Sequence, residues 1–418
     1  MQFKDFNLNP NTLKAIEEMG YLTPTPVQEV TIPEIMNGHD ILASARTGTG
    51  KTAAFLLPLI DKIMASPRQG AFPQILVLVP TRELAQQVAQ EATKFSKYHP
   101  KFKTVCVYGG EPITIQRRHL SRPFEVLVAT PGRLLDHMQR GRIDFSGLQA
   151  LVLDEADRML DMGFMDDIEA IVDALPKERQ TVFFSATLNK RVFSISKKLL
   201  KEPKEFIINS NPNESTSIIQ SIYAVDNIEH KYKLLNHLLL DPTMNQAVIF
   251  TSTKSQADTL ESKLLDECDL KVAALHGDMS QKERTRTMQK LRNGQVQVLV
   301  STDVAARGID VNTITHVFNF DLPHSADDYW HRIGRTGRAG NAGVAHSFMS
   351  FRDKELVKQL ELKSGQKFLF TTVPGMEPQK ASGHNAPRPR GGSFRDRKFG
   401  GDKIGHRGGF KKKRFDNR

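Results

Sequence analysis

The chain has 418 residues, 39% apolar and 25% charged, an ordinary globular composition with length for two or three cores. Its net charge of +11 is uneven, because residues 381–418 hold 12 basic against 3 acidic residues and leave residues 1–380 close to neutral. Two cysteines, Cys106 and Cys268, exclude a disulfide framework or a Cys-rich zinc site, and no apolar stretch approaches the roughly 18 residues of a membrane span. With Lys4 and Asp5 near the start and no apolar leader, these features predict a cytoplasmic protein with no membrane partner.

In chain order, residues 41–43 form a short apolar run that leads into a glycine-rich segment and then a helical apolar run at 53–57. Further buried-strand runs follow at 75–79, 126–129, 151–153 and 182–184, β-branched and without alternation. Between them lie amphipathic stretches such as 83–95, where Leu84, Val88, Ala92 and Phe95 recur at helical spacing. The pattern lapses over 209–217, Asn-Ser-Asn-Pro-Asn-Glu-Ser-Thr-Ser, which reads as a linker. It resumes with a helical stripe of Leu234, Leu235, Leu238 and Leu239 and strand runs at 247–250, 272–274, 298–301 and 316–319. The halves echo each other: Val-Leu-Val-Ala-Thr at 126–130 answers Val-Leu-Val-Ser-Thr at 298–302. Strand–helix alternation of this kind predicts an α/β fold of two parallel-sheet domains in tandem, 1–208 and 218–375. From 376 to 418 the chain turns Gly- and Arg-rich; with Ile404 its only Ile, Leu or Val after Ala381, this tail is expected to be disordered and basic.

Three segments carry chemistry. Ala45-Arg46-Thr47-Gly48-Thr49-Gly50-Lys51-Thr52 sits between a strand and a helix, where backbone N–H groups and a helix N-terminus cradle phosphate. Lys51 would reach the β- and γ-phosphates and the Thr52 hydroxyl would bind Mg²⁺; the bland alternative is a Gly-rich turn. Asp154-Glu155-Ala156-Asp157 follows a buried strand, placing Asp154 to hold Mg²⁺, partly through water, and Glu155 to deprotonate an attacking water. Read alone, the same tetrad is a solvated helix start. His331-Arg332-Ile333-Gly334-Arg335-Thr336-Gly337-Arg338 offers arginines for developing phosphoryl charge, or else a basic surface loop.

Taken together these residues resemble the DEAD-box RNA helicases, whose ordered motifs can be followed from about residue 3 to 340. The segment Gly20-Tyr21-Leu22-Thr23-Pro24-Thr25-Pro26-Val27-Gln28 is similar to the family's Q motif. That resemblance implies an adenine site of Phe3, Tyr21, Thr23 and Gln28, and it accounts for Ala45 at the first position of the phosphate loop. Pro80-Thr81-Arg82-Glu83-Leu84-Ala85, Gly109-Gly110 and Thr130-Pro131-Gly132-Arg133 resemble RNA-backbone motifs, as do Gln281 to Arg284 and Thr302-Asp303 in the second half. The implied RNA contacts are Arg82, Gly110, Thr130, Arg133, Arg284 and Thr302. Ser185-Ala186-Thr187, with Asp157 and His331, resembles the elements that couple ATP to RNA. Ala306-Arg307-Gly308-Ile309-Asp310 implies ribose contacts from Gly308 and Asp310, and Arg335 and Arg338 are implied as arginine fingers. The nearest likeness within the family is the bacterial RhlE and SrmB type.

The resemblance implies two RecA-like domains, ATP and Mg²⁺ as cofactors, and RNA-stimulated ATP hydrolysis that opens RNA duplexes locally. It further implies RNA as the partner, with ribosome-assembly or RNA-degradation proteins reached through the tail. An ATP-gated RNA clamp and a DNA-directed motor are the alternatives that the phosphate chemistry alone leaves open.

Overall fold

A computed structural model describes residues 1–45, 48–65, 72–208, 218–306, 311, 313–337, 342–364 and 367–379. The expected linker at 209–217, residues 380–418 of the expected tail, and Arg46, Thr47, Arg307, Gly308, Asp310 and Arg338 lie outside the described residues.

The first sheet contains β1 (Ile41–Ser44), β2 (Ile75–Leu78), β3 (Thr104–Val107), β4 (Val126–Ala129), β5 (Ala150–Leu153), β6 (Gln180–Ser185) and β7 (Lys204–Ile207). The second contains β8 (Ile218–Ala224), β9 (Gln246–Thr251), β10 (Val272–Leu275), β11 (Val298–Thr302), β12 (Ile314–Asn319), β13 (Gly343–Met349) and β14 (Leu369–Phe370). The strand orders are β3-β4-β2-β5-β6-β1-β7 and β10-β11-β9-β12-β13-β8-β14, the same arrangement twice. The two echoing segments fall on β4 and β11, which hold equivalent places in the two orders. Every pairing is parallel, so both sheets are doubly covered by helices in the RecA-like manner.

Burial on both faces explains the apolar runs. Ile75 and Val77 pack into the core on one side of β2 while Leu76 and Leu78 pack into the core on the other. In the second sheet Ala247 and Ile249 are divided from Val248 and Phe250 in the same way. Strands β3, β7, β8, β13 and β14 escaped the pattern. Strands β3, β7 and β14 lie at sheet edges or are only two residues long, and β8 and β13 are half-exposed or begin at a glycine. The segment placed at the head of the tail is partly folded: Met376 packs onto the second core, and its carbonyl accepts from His230 Nε2 at 2.9 Å. Among the described residues, no helix is long and apolar enough to cross a membrane.

Parallel strands send all their C-terminal ends to one edge of a sheet. In the first sheet that edge receives the phosphate loop after β1, Thr81-Arg82 after β2, Thr130 after β4, the acidic tetrad after β5 and Ser185 at the end of β6.

Candidate functional site

The phosphate loop turns from β1 into the helix Lys51–Ala65 through Gly48 and Gly50, whose φ angles of +80° and +87° suit glycine alone. A Cβ on Gly50 would lie 2.4 Å from Gln28 Nε2, so the loop and the helix Pro26–Met36 touch directly. Thr25 Oγ1 donates to the Thr49 carbonyl at 2.8 Å and Gln28 Nε2 donates to the Gly50 carbonyl at 3.0 Å. Gln28 Oε1 accepts from the Thr25 amide at 2.9 Å, which closes the helix's capping box. Gln28 therefore braces the loop. Phe3 is buried in the first core, edge-on to Phe6 and Tyr21, so its ring is a wall of the site rather than an open platform. Thr23 is exposed in the turn before that helix, and Ala45 is buried with its amide on the Ser185 carbonyl at 3.0 Å.

Lys51, the first residue of its helix, is 6% exposed, and its ammonium has no hydrogen-bond partner among the described residues. The nearest charge is Asp154 Oδ1 at 3.8 Å. A buried ammonium with three donors and no acceptor is poorly compensated, and phosphate oxygens supply what it lacks. Burial lifts the Asp154 carboxyl to about 6 against the pull of Lys51, and the neighbouring Glu155 adds to the rise. Asp154 Oδ1 accepts from the Glu155 amide at 2.9 Å. Glu155 itself takes a left-handed backbone, φ +54°, a strained conformation for a non-glycine residue. With the Thr52 hydroxyl in the adjacent helical turn, the donor set is hard oxygen, which fits Mg²⁺.

From this centre a chain of contacts leads across the molecule. Asp157 Oδ2 accepts from both the amide and the hydroxyl of Thr187 at 3.0 Å, and Ser185 Oγ donates to the Thr187 carbonyl at 2.7 Å. Arg158, buried beside Asp157, donates to Asp328 Oδ1 at 2.7 Å. Asp328 lies on the helix Ala326–Ile333 of the second sheet, the same helix that carries His331. Arg335 follows it, 6% exposed, with Nε donating to the His331 carbonyl at 3.1 Å. Arg332, by contrast, is held within the second half. Its guanidinium grips Asp303 through two bonds of 2.6 and 2.7 Å, also donates to Asn319, and lies over the Phe250 ring. It is a brace inside the second half; the three-residue spacing of the arginines conceals that one of them points inward.

The RNA-contact candidates gather along the β2 and β4 ends. Arg82 begins the helix Arg82–Phe95 and lies so close to Gly110 that a Cβ there would be 2.1 Å from its Nη1. It also donates to Gln281 Oε1 at 2.9 Å, from one half of the molecule to the other. Arg284 donates to Glu83 Oε1 through Nε at 3.1 Å and Nη2 at 2.6 Å. Arg133 donates to the Glu111 carbonyl at 2.9 Å and to Gln116 Oε1 at 3.0 Å. Thr130 caps the helix Pro131–Gln139, and Thr302 ends β11. The structure thus joins Arg82, Gly110 and Arg284 into one rim, with Arg133 beside it through Glu111.

Comparison with known proteins agrees with this geometry. The DEAD/DEAH box helicase family matches residues 25–195, and the helicase conserved C-terminal domain matches residues 230–340. The solved structure of S. cerevisiae Dbp5 bound to RNA and ADP BeF3 is 32% identical, with TM-score 0.80 over 89% of this chain and 95% of that one. The chain belongs to the DEAD/DEAH box helicases.

Among curated DEAD-box relatives, the ATP-dependent RNA helicase DeaD of Buchnera aphidicola is 43% identical over 86% of this chain and 59% of its own length. The Haemophilus influenzae protein of the same name is 44% identical over 86% of this chain and 58% of its own. The chain thus spans somewhat under three fifths of the curated relatives it matches. S. cerevisiae Mss116p, bound to ssRNA and AMP-PNP, is 29% identical with TM-score 0.80, covering 90% of this chain and 80% of that one. Motif reading missed Arg158 and Asp328, which carry the DEAD-box tetrad's contact to the second sheet. An arginine directly after three acids was the one signal available, and its partner 170 positions away had none.

Proposed function

We propose that this DEAD-box chain is an RNA-stimulated ATPase that uses ATP to open or remodel short RNA duplexes and RNA–protein complexes. The observation that carries this reading is the buried Lys51 ammonium, without a hydrogen-bond acceptor among the described residues and 3.8 Å from Asp154, on a sheet edge that also bears Arg82, Gly110 and Arg133. The names of the DeaD relatives, and Dbp5 captured with RNA and ADP BeF3, support pairing these two chemistries.

In this mechanism Lys51 binds the β- and γ-phosphate oxygens, and the loop amides at 48–51 complete the cradle. Thr52 and Asp154 hold Mg²⁺, which when bound neutralises charge on those oxygens. Glu155 orients the attacking water and takes its proton. Arg335 donates to the charge that develops on the γ-phosphoryl group, a contribution worth roughly 10³–10⁵ in rate for such arginines. Arg338 shares that task, and Gly308 and Asp310 hold the ribose. Movement at the nucleotide is passed through Asp157 to Thr187 and through Arg158 to Asp328. RNA phosphates meet Arg82, Arg133 and Arg284, with Gly110, Thr130 and Thr302 against the backbone. Contacts of this type read phosphate and 2′-OH groups and ignore base sequence.

We assign the two RecA-like domains to 1–208 and 218–375, joined by 209–217. The tail beyond them, with Arg390, Arg407, Phe394 and Phe410, supplies a looser RNA contact or a protein-docking segment. The unpaired cysteines Cys106 and Cys268 suit a cytoplasmic setting, and ribosome assembly or RNA turnover is the cellular task we favour. Unwinding of a short RNA duplex with a single-stranded overhang tests the substrate class. ATP should be required, and a DNA duplex of matched sequence should stay paired; equal unwinding of the DNA would remove the RNA assignment.

A further inference from the structure

A cavity of about 1190 Å³ runs along the outer edge of the first sheet, apart from the nucleotide site. One wall is β3, the terminal strand, which pairs with β4 alone. The other wall is the helix Gln281–Arg292 of the second half. The carbonyls of Lys103 and Val107 accept from the amides of Val126 and Thr130 at 3.2 and 3.1 Å. In a parallel pair, residues of one parity bond to one neighbour, so the main-chain groups of Thr104 and Cys106 face the cavity. The buried Thr104 hydroxyl is also without a hydrogen-bond partner among the described residues. An open strand edge of this kind is completed by another extended chain about 4.8 Å away, and four residues of β3 offer about 13 Å of it.

Charge selects the occupant. Lys101, Lys103, Arg122 and Arg292 are exposed around the cavity, and none makes an ion pair among the described residues. The carboxylates of the walls are engaged already: Glu83 by Arg284, Glu111 by Gln116 Nε2 at 2.9 Å, and Glu125 by the Lys103 amide at 2.6 Å. Five cations, Arg284 included, stand against three carboxylates around the cavity, which leaves an excess of positive charge beside main-chain groups that have no partner among the described residues. We infer that it binds an acidic, extended peptide segment of a partner protein, which adds as a strand to β3 and sets its carboxylates toward those four cations. An RNA strand would answer the charge but carries no alternating N–H and C=O groups for the edge. Because the second wall comes from the other half, the bound segment touches both halves at once.

The test is fluorescence anisotropy on the full chain with a labelled peptide alternating Asp or Glu with Val. Its controls are the same peptide N-methylated at alternate backbone amides and a version with Lys in place of the acids. Saturable binding is expected from the acidic peptide, at least about tenfold weaker after N-methylation, which deletes the edge hydrogen bonds and keeps the charge. Lys103→Glu and Arg292→Glu, both at exposed positions, should each weaken it by about tenfold. Equal binding of the N-methylated peptide would reduce the site to charge attraction and overturn strand addition. An effect of Lys103→Glu without one of Arg292→Glu would overturn the two-walled groove. Displacement of the peptide by a uridine oligomer, together with indifference to N-methylation, would assign the groove to RNA instead.

Discussion

Lys51 and Asp154 hold each other in check. Burial drives the Asp154 carboxyl up to about 6, and the Lys51 ammonium at 3.8 Å is the charge that restrains the rise. Because the carboxylate form is the one that holds a cation, protons and Mg²⁺ compete for Asp154, so at limiting Mg²⁺ ATP turnover should fall as pH drops through about 6 and added Mg²⁺ should move that fall to lower pH. Lys51→Met should move that acid limb upward while lowering turnover at every pH, which a pH–rate profile would show; an unmoved limb would separate Asp154 from the rate. These residues were legible in the sequence, because loop, strand and tetrad follow one another along the chain. Arg332 and Arg335 are told apart there by the family resemblance alone. Spacing alone does not say which guanidinium turns to Asp303 and Phe250 and which bonds back to the His331 carbonyl.

At the scale of elements, Arg332 joins the end of β11, the end of β12 and the helix Ala326–Ile333 through Asp303, Asn319 and its own backbone. Removing it leaves Asp303 without its ion-pair partner and a cavity beside Phe250. Arg332→Ala should lower stability by roughly 3–5 kcal/mol, measured by urea unfolding of the whole chain. A loss under about 1 kcal/mol would mean that the brace is solvated in practice. Central strands were readable because both faces are buried, which forces runs such as Ile-Leu-Val-Leu at 75–78. Edge strands β3 and β7 lack that constraint, and Thr-Val-Cys-Val or Lys-Glu-Phe-Ile is too short to show a period. The brace from Gln28 to the phosphate loop is likewise hidden in the sequence, since its two ends lie 22 positions apart in different motifs.

For the whole molecule, two halves with sheets of identical order meet, among the described residues, through Arg82 with Gln281, Glu83 with Arg284, and Arg158 with Asp328. The tandem repeat was legible from the echo between β4 and β11. The apposition was not, because its partners lie 170 to 201 positions apart and nothing in either segment names the other. Asp328→Ala removes the contact that links the tetrad's helix to the helix of His331. It should lower RNA-stimulated turnover by about tenfold while ATP binding is kept, a split readable from turnover alongside nucleotide titration. Equal losses in both would place Arg158 in the nucleotide site itself and not between the halves.

The most direct measurement is steady-state ATP hydrolysis with and without single-stranded RNA, run in parallel on Glu155→Gln. The account predicts strong stimulation by RNA in the native chain and its loss in the variant, with nucleotide binding retained. Hydrolysis that ignores RNA, or that answers to DNA alone, would contradict it.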